Sequence, residues 1–145
     1  MAKVDEEKVT KLTSELRRAL AILRDLQGLS REDFLADEHK KGSAKYHFIV
    51  AIEAAVDLCN HLISVLGLRS PESYADTFKV LEEAEAFDKG FASRLVEMAK
   101  FRNRLVHFYF AVDDNLLYEI LHEGPKDLEK FLQDFSNFLK KTKTA

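Results

Sequence analysis

With 145 residues, of which 46% are hydrophobic and 32% charged, the chain is long enough for one folded domain and too apolar to be disordered. A net charge of −3 argues against a protein that coats nucleic acid through a broad basic face, although it leaves room for an enzyme that grips one or two phosphates. Cys59 is the single cysteine, which excludes an internal disulfide and a zinc site built on cysteines.

The first seven residues are polar and lack the apolar stretch of a signal peptide. No apolar run approaches the length needed to span a bilayer. Both observations predict a cytoplasmic protein that does not contact a membrane.

Apolar residues recur at threes and fours along most of the chain, which is the pattern of amphipathic helices. The first stripe predicts a helix from about Val4 to Gln27, ended by Gly28. A short second helix is expected from a cap at Ser30 through Asp37. A long, richly apolar helix follows from Ser43 to Leu66.

The second half of the chain continues in the same way. Arg69–Ser73 is the clearest loop, followed by a helix from about Tyr74 to Phe87 and another from Asp88 to about Phe110. Asp113-Asp114-Asn115 is expected to cap a short helix, and Gly124-Pro125 to break the chain before a last helix. Since no period-two run suggests a strand, the sequence predicts an all-α fold, an up-and-down helical bundle of four main helices with short accessory helices.

The segment 101–109, Phe-Arg-Asn-Arg-Leu-Val-His-Phe-Tyr, is the strongest candidate for a functional site. On a helix wound at about 100° per residue, Arg102 and Tyr109 fall on the apolar face, so Arg102 needs a carboxylate, a phosphate or water as its partner. His107 lies roughly 140° from Arg102, beside Asn103. One site for both therefore requires that the helix end or distort near His107, or that a second subunit complete the cleft. We favour a two-fold dimer.

An arginine and a histidine in one cleft suit phosphodiester transfer on RNA. The histidine can accept a proton from a ribose 2′-hydroxyl or donate one to the leaving oxygen, and the guanidinium can hold the phosphate. This chemistry requires no metal, and a 2′-hydroxyl nucleophile restricts the substrate to RNA. The spacing Arg-x4-His also arises by chance, and a histidine near a helix end is more commonly a cap or a surface residue. From geometry alone, catalysis stays a hypothesis.

The run Phe101-Arg102-Asn103-x-Leu105-Val106-His107-x-Tyr109 resembles the signature of HEPN-domain proteins, in particular the HepT-like toxin branch with its Arg-x4-His-x-Tyr pattern. The segment from Tyr46 to His61 looks like the long central helix of that family, and residues 70–76 look like the loop that follows it. The resemblance covers most of the chain, roughly from the first helix to Phe135. It implies a single HEPN-type helical domain over residues 1–145.

The resemblance also implies a helical homodimer whose two motif segments line a shared cleft and cleave RNA without a metal or other cofactor. Arg102 and His107 match the family's catalytic pair, and Asn103 matches the polar residue that follows the arginine. Tyr109 matches the tyrosine that a partner minimal nucleotidyltransferase antitoxin modifies with AMP to silence the toxin. An AMP there would bring negative phosphate beside Arg102 and block substrate, because Tyr109 and Arg102 are predicted to share a face.

Polar residues also recur along the long central helix, at Glu53, Asp57, Asn60 and Ser64. They either hold Arg102 and line the cleft, or they form one solvated edge of an amphipathic helix.

The sequence also allows two weaker interpretations. Glu119-x-x-His122 matches half of a di-iron site, but the chain has no second copy, so we take it as a chance match. The alternative to a ribonuclease is a non-catalytic helical binding module that presents Tyr109, or its bundle surface, to a minimal nucleotidyltransferase.

Overall fold

The computed structural model describes residues 3–144, which form six α-helices and no strand. Four long helices make the bundle: α1 (Glu6–Leu26), α3 (Glu38–Leu66), α5 (Lys89–His107) and α6 (Asp114–Thr144). Two short helices, α2 (Arg31–Ala36) and α4 (Tyr74–Glu83), lie between them, and a 3₁₀ turn at Tyr109–Ala111 joins α5 to α6. The predicted all-α bundle of four main helices with short accessory helices is confirmed.

The central helix is α3, which contacts α1, α4, α5 and α6. Its most apolar 18-residue stretch has a mean hydropathy of 1.7, so by length and composition α3 could cross a membrane. The prediction that no apolar run approaches that length is therefore wrong. The same stretch is 56% buried inside the bundle, where Phe48, Ile52, Leu58 and Leu62 are almost fully covered. A core helix of a soluble protein has this composition because it meets protein on most sides.

Three helix ends differ from the prediction, two of them for a reason that the local structure shows. α3 begins at Glu38 rather than Ser43, because the Asp37 side chain accepts hydrogen bonds from the first free N–H groups of the helix. α4 ends at Glu83 rather than Phe87, since Glu85 adopts a left-handed conformation (φ 65°) that reverses the chain. α5 ends at His107 instead of continuing to about Phe110.

The largest difference is in α6, which runs unbroken through Gly124-Pro125, where a break was predicted. Pro125 has no N–H to donate to the carbonyl of Leu121, four residues earlier. The side-chain amide of Gln27, at the end of α1, donates to that carbonyl at 2.8 Å instead. Gly124 serves the packing: a Cβ there would come within 2.8 Å of Cε1 of Phe48 on α3.

Candidate functional site

Arg102 on α5 is held by Glu53 on α3. Its Nε and Nη2 donate to the same carboxylate oxygen of Glu53, at 3.1 and 2.5 Å, and its guanidinium lies 4.4 Å from the ring centroid of Tyr74. The Arg102 side chain is only 15% exposed, so the charge needs such a partner. Of the two interpretations of the polar stripe on α3, Glu53 therefore follows the one in which it holds Arg102.

Asn103 connects Arg102 to the other side of α5. Its Oδ1 accepts a 3.0 Å hydrogen bond from Nη1 of Arg102. His107 lies one helical turn further along the same face as Asn103 and is the last residue of α5. The helix therefore ends next to His107, but His107 itself is still helical and lies on the face of Asn103 rather than that of Arg102, so one site for both stays a prediction. Within residues 3–144, the exposed His107 ring contacts Phe108 and has no hydrogen-bond partner.

Tyr109 lies in the 3₁₀ turn after α5, so the prediction that it shares a helix face with Arg102 is wrong. Its ring packs against the start of α3, with Nζ of Lys45 at 4.5 Å from the ring centroid. The same Nζ donates to the Tyr109 carbonyl at 3.0 Å. The hydroxyl lies beside Gly42, 3.6 Å from the position that a Cβ would take there. Tyr109 and Arg102 therefore contact different parts of α3.

Lys41 and Lys45 were not singled out from the sequence, although they are among the few buried charged residues described. Lys41 donates to Asp114 at 3.0 Å and contacts Glu38, whose hydrogen bond, together with that of Asp114, raises the Lys41 pKa above its ordinary value. In the sequence they are only two lysines four residues apart with a glycine between them, a spacing that places both on one helix face but does not indicate burial.

Asp57 and Asn60 are exposed and face α1 rather than Arg102. Both border a groove lined from α1 by Lys8, Lys11 and Glu15. Partial burial raises the Asp57 pKa, and the nearby carboxylate of Glu53 raises it further. The structure thus brings only one of the three predicted cleft residues of α3 to Arg102.

Apolar side chains beside the site are open to solvent. Val106 is 42% exposed, Phe108 64% and Phe110 96%. Leu105 is buried, whereas the next residue, Val106, points away from the core near the end of α5.

The described residues contain no group of three or more His, Cys, Asp or Glu side chains placed to hold a metal ion. What the site offers is a guanidinium with unused donors. Arginine has five N–H donors, and three are used by Glu53 and Asn103, so two are left for an anion such as a phosphate. The imidazole of His107 lies at the end of the same helix.

Comparison with curated proteins finds several relatives. A protein of Archaeoglobus fulgidus is 32% identical over 96 residues, which cover 66% of this chain and 72% of that protein. The mRNA nuclease HepT of Shewanella oneidensis is 26% identical over 55% of this chain and 60% of its own length. The tRNA nuclease HepT of Aphanizomenon flos-aquae is 23% identical over 84% of this chain and 83% of its own length.

Solved structures share the fold. The cytosolic protein YutE of Bacillus subtilis, of unknown function, superposes with a TM-score of 0.85 at 21% identity, covering 98% of this chain and 95% of that one. The tri-AMPylated HEPN toxin of Shewanella oneidensis, in complex with its MNT antitoxin, superposes with a TM-score of 0.83 at 20% identity, covering 90% and 97%.

The family comparison covers the site itself. Residues 16–135 match the family described as "Ribonuclease HepT-like", and this range includes Glu53, Arg102, His107 and Tyr109. The resemblance inferred from the motif is therefore confirmed, and with it the expectation of a ribonuclease family. The chain belongs to the HepT-like ribonucleases.

Proposed function

We propose that this protein is a cytoplasmic endoribonuclease toxin, a single domain over residues 1–145, in which Arg102 binds the scissile phosphate and His107 transfers protons. One observation carries the proposal: Arg102 is oriented by Glu53 and Asn103 with two N–H donors left, on the helix whose last residue is His107. The carboxylate fixes the orientation of the guanidinium, and the remaining donors can bind an anion such as a phosphate.

The proposed reaction uses a nucleophile that RNA itself supplies. The 2′-oxygen of a ribose attacks the adjacent phosphorus, the bond from phosphorus to the 5′-oxygen breaks, and a 2′,3′-cyclic phosphate forms. His107 accepts the proton of the 2′-hydroxyl or donates one to the leaving 5′-oxygen, and Arg102 offsets the charge that develops on the phosphoryl oxygens. Each step is provided by a residue of the chain, so the reaction is proposed to be independent of metal ions.

We propose that a second copy of the chain completes the cleft. His107 projects into solvent without a hydrogen-bond partner among the described residues, and Val106, Phe108 and Phe110 expose apolar surface around it. Covering such a patch is favourable for association. A two-fold axis through this surface would bring two copies of the motif together, so that one histidine could act as the base and the other as the acid.

We further propose that a minimal nucleotidyltransferase silences the enzyme by attaching AMP to Tyr109. Tyr109 occupies the position of the family's motif tyrosine, and a structurally similar HEPN toxin is AMPylated in complex with its MNT antitoxin. Tyr109 follows His107 by two residues, so the anionic group is proposed to act on the His107 side of the cleft, away from Arg102.

The test uses the purified protein and a single-stranded RNA in a buffer with EDTA. We expect cleavage that leaves 2′,3′-cyclic phosphate ends, and a loss of at least about 100-fold on Arg102→Ala and on His107→Ala with unchanged circular dichroism. RNA with 2′-deoxyribose at the cleaved position should resist. A wild-type protein that binds the nucleotidyltransferase but never cleaves RNA would identify the non-catalytic binding module instead.

A further inference from the structure

Lys41 and Lys45 form an unusual pair of buried cations. Lys41 is 8% and Lys45 7% exposed, whereas lysine is among the residues least often buried in proteins. The carboxylate that faces both is Asp114, at 3.0 Å from Nζ of Lys41 and 4.0 Å from Nζ of Lys45. Glu38 also contacts Lys41, but its side chain is 88% exposed and therefore well screened by water.

Both lysines lie on the part of α3 that receives Tyr109. They are one helical turn apart, with Gly42 between them, and the Tyr109 hydroxyl lies over Gly42. Nζ of Lys45 faces the Tyr109 ring and also fixes the backbone of the turn through the Tyr109 carbonyl. A group attached to the hydroxyl would therefore leave the ring over a residue without a side chain, on the turn of α3 that carries both lysines.

We propose that Lys41, Gly42 and Lys45 form a phosphate cradle that binds the phosphodiester of a nucleoside monophosphate attached to Tyr109. This inference rests on the proposed modification of Tyr109 and names the residues that receive it. The ligand class follows from the charge. Of the two carboxylates at the lysines, only Asp114 faces both, and Glu38 is 88% exposed and screened by water, so the pair can accept a further anion. The lack of a side chain at Gly42 leaves room for that anion against the helix.

The chemistry of the attachment leaves an anion on Tyr109. The phenolic oxygen attacks the α-phosphorus of ATP, the bond from that phosphorus to the bridging oxygen of the β-phosphate breaks, and pyrophosphate leaves. The phenolic proton passes to solvent or to a base of the transferase. The product is a phosphodiester with one negative charge, which the lysines would neutralise as it forms. Lys45 is thereby a positioning residue for both the unmodified and the modified turn.

The experiment follows AMP transfer from ATP by the cognate minimal nucleotidyltransferase, measured by intact mass, on the full-length protein. We expect Lys45→Met to lower the initial rate about tenfold, and Lys40→Met, an exposed lysine of the same helix, to leave it unchanged. Modification should also raise the thermal midpoint of the wild type and leave that of Lys45→Met unraised, because only the wild type retains the second cation of the cradle.

A second pair of variants keeps the test decisive if Lys45→Met does not fold. Gly42→Asp places a carboxylate in the cradle, and Gly42→Asn places a neutral group of the same size there. We expect the aspartate variant to be modified about tenfold more slowly than the asparagine variant. Equal rates in both pairs, with a wild type that is modified, would overturn the cradle alone. An unmodified wild type would overturn the proposed regulation at Tyr109 and the cradle with it.

Discussion

The side-chain amide of Gln27 donates a 2.8 Å hydrogen bond to the carbonyl of Leu121, the acceptor that Pro125 leaves without its helical donor. Leu121 is fully buried, so its carbonyl has no access to water through its own side of the helix. We expect Gln27→Met to lower the free energy of unfolding by about 1–2 kcal/mol, measured by urea denaturation. In a Pro125→Ala background the same substitution should cost much less, because the backbone of the introduced alanine would supply the N–H. If Gln27→Met lowers the free energy of unfolding equally in both backgrounds, the Gln27 amide does not replace the N–H that Pro125 lacks.

Glu53 should act on RNA cleavage through Arg102. It accepts from two of the five N–H donors of Arg102, and Glu53→Gln keeps the shape while removing the charge. We expect kcat/KM for RNA cleavage to fall about tenfold, with a smaller effect of Asp57→Asn, since Asp57 faces α1. Rates measured on a labelled oligonucleotide decide this, and a Glu53→Gln enzyme as fast as the wild type would remove Glu53 from the site.

For RNA cleavage, the planar set of N–H donors on Arg102 should matter more than its positive charge. Arg102→Lys keeps a cation but cannot hold Glu53, Asn103 and a phosphate at once, because lysine has three donors on one nitrogen. We expect a loss of RNA cleavage of at least about 100-fold, with less than a few-fold loss for Arg104→Lys, which is exposed on the same helix. If both variants lose activity equally, a general electrostatic effect on RNA binding explains the data better than a specific contact.

The loop between α3 and α4 should show a defined dependence on pH. Arg69 binds Asp76 and Glu83, and its hydrogen bonds, with one from the Glu72 N–H, lower the pKa of Asp76 to about 2. A carboxylate with a depressed pKa stabilises the fold above its ordinary pKa of about 4, and this contribution is lost as the pH falls towards 2. Arg69→Gln should therefore lower the thermal midpoint at pH 7, by at most a few degrees, and this difference should shrink steadily as the pH falls from about 4 towards 2. A constant difference between the two proteins over that range would contradict the ion pair.

Phe110 should contribute to association of two copies. Its side chain is 96% exposed, although phenylalanine normally gains from burial. We expect Phe110→Ser to raise the dissociation constant of the dimer and to lower RNA cleavage at low protein concentration. Phe110→Leu should preserve both, and analytical ultracentrifugation combined with an activity titration measures them. A monomeric wild type with full activity would remove the second subunit from the proposal.

The sequence predicts the bundle well because helical periodicity reports which side of each helix is buried. It fails at Gly124-Pro125, where the local signal for a break is overridden by a distant side chain, Gln27, that supplies the missing donor. No local pattern contains that information, since the two residues are brought together only by the packing of α1 against α6.

The candidate site could likewise be predicted only in part. The spacing along α5 identifies Arg102 and His107 as candidates and indicates that one site for both needs a helix end or distortion near His107, or a second subunit. In the structure, α5 ends at His107. The polar stripe on α3 was one candidate partner of Arg102, and of its residues only Glu53 binds Arg102. Lys41 and Lys45 were overlooked because their burial depends on Asp114 and Tyr109, which lie far away in the chain.

The hydrogen bonds between Glu53 and Arg102 span 49 residues of sequence, and this has a consequence for how the protein is made. A ribosome synthesises α3 before α5. A nascent or prematurely ended chain that stops before residue 102 therefore contains Glu53 without Arg102. If the finished protein cuts RNA, its incomplete products cannot. A cell could therefore translate and discard fragments of this chain without exposing its own transcripts to them.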